Sequence, residues 1–335
     1  MSEDKRINDE TSDLIGNDVV IIKLGGSSIT NKAKLETLDE PALNWVAKTL
    51  TMSLDSPFIS SVDEKNISVG CADSKRRATF IVIHGAGSFG HQSAKAFGLR
   101  GQTEKPNISP NCKEVTASSE MERRKLMEGL AKTRLSVQKL NRAVVSHLIE
   151  AGINAVGISP CISIPGMQAH GGDECGAMTT LVHSIRDALS AGLVPVIHGD
   201  AGLYGSFQHG RASMKAGILG GDTLVEAIAT HEKLKKHLSQ AIFLTDVEGV
   251  FTKDPNLHED AELLKTIDIN PATGKIMVSN LSASGSTHEH DVTGGLEVSQ
   301  CKQLLTFRIK SKYYTSKKSY QKLLFYIQFV MERPS

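Results

Sequence analysis

The chain has 335 residues, 40% of them apolar, and a formal net charge of +1. That length supports one large α/β domain or two modest ones, with a substantial core. The near-neutral charge gives no electrostatic case for nucleic acid or an anionic membrane as partner, and no run approaches the ~18 apolar residues of a membrane span.

Residues 1–17 form a polar, acidic N-terminal extension, unlike a secretory signal or a transit peptide. Residues 18–24 read as an apolar strand that runs into Gly25-Gly26-Ser27-Ser28. A helix is predicted over 40–50. Residues 53–78 are polar, without a clear period, and read as a surface insertion. A short apolar strand at 80–83 then leads into His84-Gly85-Ala86-Gly87-Ser88-Phe89-Gly90-His91, with a helix expected from about Gln92. Residues 119–150 keep helical spacing through Leu126, Leu130, Val137, Leu140, Val144 and Leu148. Further strands are expected at 154–158, 193–197 and 241–244, and helices at 178–190 and 224–230. Glycine turns are read at 170–176 and 217–223. Apolar strands alternating with helices argue for an α/β fold with a mainly parallel sheet covered on both faces. Ligands of such sheets bind beyond the carboxyl ends of the strands, where the polar loops of this chain fall.

Three glycines between a strand and a helix let backbone amides approach an anion closely, and His91 could add a hydrogen bond. The same loop could equally be a tight turn without a ligand. Lys23 interrupts an apolar strand and needs a partner, either a carboxylate or a bound phosphate. Gly25, Gly26 and Ser27 follow it, but the Walker A spacing is absent. Lys32 stands in a polar loop nearby. Asp222 could cap a helix, hold lysines or face a metal ion. Thr245, Asp246 and Gly249 follow a buried strand, and Asp291-Val292-Thr293-Gly294-Gly295 is a second possible phosphate wrap. His84 and His91 lack the acidic or Cys neighbours of a zinc set. Five scattered cysteines without CxxC spacing fit free thiols in a reducing cytoplasm.

Taken in order, Lys23-Leu24-Gly25-Gly26-Ser27, the 84–91 loop, Gly221-Asp222, Thr245-Asp246-Val247-Glu248-Gly249-Val250 and 291–295 resemble the amino-acid kinase superfamily. Gly-Ser-Phe-Gly-His is similar to its isopentenyl phosphate kinases. The resemblance covers about residues 18–297. It implies a three-layer αβα sandwich, ATP with Mg²⁺, and phosphoryl transfer to isopentenyl phosphate in isoprenoid biosynthesis. It further implies that Lys23, Leu24, Gly25, Gly26 and Ser27 meet the ATP phosphates, with Gly87 between donor and acceptor. Ala86, Gly87, Gly199 and His91 would bind the acceptor phosphate. Lys32 would steady the transferring group, Asp222 would orient the lysines, and Thr245, Asp246, Gly249, Thr293, Gly294 and Gly295 would line the nucleotide side. A homodimer is implied, with 119–150 as a candidate contact. Alternatives are a relative that phosphorylates a carboxylate or a phosphonate, or a catalytically dead binding protein.

The last alternative comes from the C-terminus. The family pattern places an ATP-contacting lysine where this chain has Ser299, and Lys302 is almost one helical turn further on. Residues 298–335 hold four of the five tyrosines and eight basic residues against one acid, Glu332. The terminal strands of the family are not recognisable there. Val298-Ser299 is also what a GT-purine-AGT splice donor encodes in frame, so 298–335 reads as translated intron or an error in the gene model. The other reading is a basic, aromatic surface for a partner or membrane.

Overall fold

The computed structural model describes residues 15, 19–31, 33–55, 79–99, 120–160, 177–208, 211–245, 259–260, 307–314 and 324–331. Strand β1 (Val19–Leu24) is followed by a short turn of helix, α1 (Gly26–Ile29), and by α2 (Glu40–Asp55). Then come β2 (Thr79–His84), α3 (Gly87–Phe97), α4 (Glu120–Glu150) and β3 (Ala155–Ile158). Helix α5 (Ala177–Ser190) leads to β4 (Val194–His198) and a hairpin of β5 (Asp200–Gln208) and β6 (Arg211–Leu219). Helices α6 (Gly221–Thr230) and α7 (Glu232–Lys235) precede β7 (Leu238–Thr245), and two strands, β8 (Phe307–Tyr314) and β9 (Leu324–Met331), stand near the C-terminus.

The large sheet has the order β3-β4-β2-β1-β7-β9-β8. From β3 to β7 all pairs are parallel. Strand alternation sorts the core into two layers. Val19 and Ile21 of β1, with Ile81 and Ile83 of β2, pack with Leu181, Ile185, Leu224 and Ile228 of α5 and α6. Val20, Ile22 and Leu24, with Phe80 and Val82, pack with Leu43 and Val46 of α2 and Leu140 and Val144 of α4 on the opposite face. The result is the expected αβα sandwich.

Several boundaries differ from the sequence reading. Helix α2 runs on to Asp55, so 53–55 are helix and not insertion; 56–78 lie outside the described residues, as does the glycine turn at 170–176. Helix α3 begins at Gly87, so His91 is its fifth residue and not its start. Helix α6 likewise begins at Gly221, and Gly217 belongs to β6. Glycine lowers helix propensity, but at a first turn the amides have no intrahelical acceptor and little is lost. The hairpin β5–β6 was not read at all, although only His209-Gly210 separate its strands. The tail, in which no family strands were recognised, supplies β9 and β8, which extend the sheet antiparallel beyond β7.

Candidate active site

The carboxyl ends of four adjacent strands meet through their backbones. The ladder continues one residue past the strands: Gly25 N–H donates to Leu244 O at 2.8 Å, Gly85 N–H to Leu24 O at 2.9 Å and Gly199 N–H to His84 O at 2.9 Å. This brings the two glycine loops against each other. A Cβ on Gly26 would stand 2.2 Å from Gly87 N, and one on Gly85 would stand 2.8 Å from Gly26 N. Gly87 adopts φ +50°, in the left-handed region, and its Cβ would lie 2.2 Å from Thr30 Oγ1. Thr30 fastens the pair: its hydroxyl donates to Gly26 O at 2.7 Å and accepts from Ser88 N–H at 3.0 Å. Among the described residues, no acceptor meets the Ala86 N–H at the edge of this junction.

Lys23 alternates onto the face that carries Val19 and Ile21, the face covered by α6. Its ammonium therefore meets Asp222, the second residue of α6, with Nζ 2.7 Å from Oδ1. The contact is close but poorly aligned for a hydrogen bond, so it acts as an ion pair. Phe243 of β7 lies under the same ammonium, 5.8 Å from Nζ to the ring centre. The partner that Lys23 needed is thus a carboxylate, held with the cation still partly open at the loop junction.

His84 alternates to the other face, beneath α4, and is fully buried. Its ring stacks on His198 at 5.9 Å, the residue beside it in the β2–β4 register. Burial, and then the neighbouring His198, hold the His84 pKa down at about 3. Burial lowers His198 as well. Beyond the pair, Asp200 is buried and its carboxylate accepts from Ala201 N–H at 2.8 Å, with Arg134 Nη2 3.5 Å away.

The sequence reading placed Leu24, Gly25, Gly26, Ser27, Ala86, Gly87, Gly199, Asp222 and Thr245 at one site, and the structure brings their backbones to one end of the sheet. Gly25 shows how tight the junction is, since a Cβ there would lie 3.0 Å from Leu244 O and 3.7 Å from Thr245 Cα. Gly199 differs from expectation: its N–H is engaged by His84 O, because the parallel ladder runs past the strand ends, so it is not an open donor. His91 is half-buried on α3, one turn beyond Gly87. Lys32, Asp246, Gly249, Thr293, Gly294, Gly295 and Ser299 lie outside the described residues. Thr30, Asn141, His198 and Asp200 were missed as site residues. Asn141 did carry a signal, a polar side chain next to Leu140 in the apolar stripe of α4.

The chain that builds this junction is similar to known proteins over most of its length. The profile of the Amino acid kinase family matches residues 18–299. The chain belongs to that family. An isopentenyl phosphate kinase of Arabidopsis thaliana is 30% identical to it, over 83% of this chain and 80% of the relative. One of Methanothermobacter thermautotrophicus is 30% identical, over 86% of each chain. A crystal structure of an isopentenyl phosphate kinase overlays with a TM-score of 0.52 at 28% identity, covering 74% of this chain and 81% of the other. Among the described residues, no helix is long and apolar enough to cross a membrane.

Proposed function

We propose that this kinase transfers the terminal phosphoryl group of ATP to isopentenyl phosphate, giving isopentenyl diphosphate and ADP. The observation that carries the reading is the junction of the two glycine loops, with Lys23–Asp222 on one side of it and the α3 helix of His91 on the other. Phosphoryl transfer depends on bringing two phosphates into line and neutralising their oxygens. Amides of the 25–27 loop and Lys23 would hold the donor phosphates, while Asp222 keeps Lys23 aimed. Ala86, Gly87 and His91 would hold the acceptor phosphate, which is already a competent nucleophile and needs no strong base. Lys32 would steady the transferring group, and Thr245, Asp246, Gly249 and 293–295 would line the nucleotide. Ala94, on the same helix as His91, packs with Leu99 just beyond its end, Leu126 and Leu130 of α4, Ala201 of β5 and Ile218 of β6.

Among the described residues, no three His, Cys, Asp or Glu side chains gather as a metal cage. Mg²⁺ retains water and takes phosphate oxygens readily, so the donor end, beside the Lys23–Asp222 pair, would take a cation carried by the nucleotide. Such a cation would add charge neutralisation. Residues 18–297 are read as the catalytic domain, with 1–17 an N-terminal extension and 298–335 an atypical tail whose β8 and β9 join the same sheet. A homodimer through α4 fits Leu135 and Ile149, which are 58% and 55% exposed there. We place the protein in the cytoplasm.

Ser299, at the place of a family lysine, favours a second reading: a protein that binds both ligands without turnover. Loss of one transition-state cation costs about 100- to 1,000-fold in rate. Purified 1–335 given ATP, Mg²⁺ and either isopentenyl phosphate or acetylglutamate is expected to release ADP with the former. Turnover of acetylglutamate alone would overturn the proposal, and ATP binding without turnover would favour the second reading. In the active enzyme, His91→Ala should raise the acceptor KM by about tenfold or more while the ATP KM changes little. Equal losses for both would remove His91 from the acceptor site.

A further inference from the structure

Resting on the acceptor site just described, we propose that His84, with its tautomer set by Asn141, is a positioning residue that aims the Ala86 amide at the acceptor phosphate, and that His198 holds the neighbouring strand end in the same way. The chain of cause begins on α4. Asn141 Nδ2 lies 3.2 Å from Val196 O and 3.1 Å from His84 Nε2. A backbone carbonyl only accepts, so the amide nitrogen of Asn141 must face Val196. Its second N–H then points at His84 Nε2, which must offer a lone pair. The ring proton is thereby placed on Nδ1, 3.0 Å from Gly85 O, to which it donates.

That bond fixes a peptide plane. The described residues contain no cis peptide bonds, and in a trans peptide the C=O and the following N–H point in opposite directions. With Gly85 O held by the buried imidazole, the Ala86 N–H is turned the other way, out of the core. His198 repeats the device one strand over, with Nδ1 3.0 Å from Gly199 O. Gly199 N–H binds His84 O at 2.9 Å, so the two strand ends are locked together. A second proton on His84 would set N–H against the N–H of Asn141. The ring therefore works as a neutral clamp and not as a cation for phosphate.

Two measurements test this on the whole chain. Histidine ¹⁵N–¹H correlation spectra of the wild-type protein should show His84 as the Nδ1–H tautomer, with no titration between about pH 5 and 8, where a solvated histidine titrates and favours Nε2–H. An Nε2–H tautomer, or titration in that range, overturns the proposal, and this arm needs no variant to fold. In the second arm, Asn carries an N–H where His carries Nδ1. His84→Asn should keep the isopentenyl phosphate KM within about threefold of wild type, whereas His84→Leu should raise it about tenfold or more, with the ATP KM little changed in both. Equal acceptor KM values for the two variants, or parallel losses for ATP, count against a positioning role. A wild-type protein that ignores isopentenyl phosphate sinks the substrate reading, while the Nδ1–H tautomer would still assign His84 its hold on the loop.

Discussion

At the scale of single residues, the site is built from what glycine lacks. Gly26 and Gly87 approach so closely that the nearest atoms to an added Cβ at Gly26 are backbone, 2.2 Å and 2.7 Å away. Backbone in a hydrogen-bonded junction cannot swing aside as a flexible side chain can. Gly26→Ala must therefore part the two loops by about an ångström, and a misplacement of that size costs about 100-fold in turnover. Steady-state kinetics should show that loss in kcat/KM while circular dichroism shows the fold retained. A Gly26→Ala enzyme of wild-type efficiency would mean the junction does not align the phosphates. Lys23 and His84 obey a different residue-level logic. Each is a polar group at the carboxyl end of an apolar strand, and each is satisfied by the helix on its own face: Asp222 of α6 for Lys23, Asn141 of α4 for His84.

At the scale of elements, alternation along β1 and β2 decides both the layers and the division of the site. Positions 19, 21, 81 and 83 face α5 and α6, and positions 20, 22, 80 and 82 face α2 and α4. The strands were legible because uninterrupted apolar runs bounded by glycine mark buried parallel strands. The start of α3 was not, because glycines that read as loop stand in its first turn. The hairpin β5–β6 was missed because its strands mix small, aromatic and polar residues without a clean two-residue period. Helix α4 is the element on which most depends, since it buries Leu140 and carries Asn141 beside it. Leu140 is fully buried, and Leu140→Ala should lower the unfolding free energy by about 2–5 kcal/mol. Urea unfolding measures this, and a loss well under about 1 kcal/mol would contradict the packing of α4 on the sheet.

At the scale of the whole molecule, the sheet has a parallel body and an antiparallel margin. Strand β7 would be an open edge without β9 beside it, and an unpaired edge invites association. The tail thus has a structural part to play even though the family match ends at residue 299. We nevertheless expect the principal mature message to depart from this sequence after the codon for Glu297. Transcript sequencing across that codon checks it. A principal message encoding 298–335 would make the hairpin of β8 and β9 the native cover of the sheet.

Sequence alone determined the alternation of strands and helices, the glycine loops at the strand ends, and the ordered motifs that carry the family resemblance. These are local patterns, written in the period of apolar residues and in glycine's tolerance of close approach. Tertiary structure alone decided which loops touch, that Lys23 meets the Asp222 carboxylate the resemblance had pointed to, that Gly199 is engaged, and that His84 is a buried neutral clamp. Those depend on the strand order β4-β2-β1-β7, which brings together residues more than 200 positions apart, such as Gly25 and Leu244. No local period encodes such an order; it follows from how the two apolar layers pack.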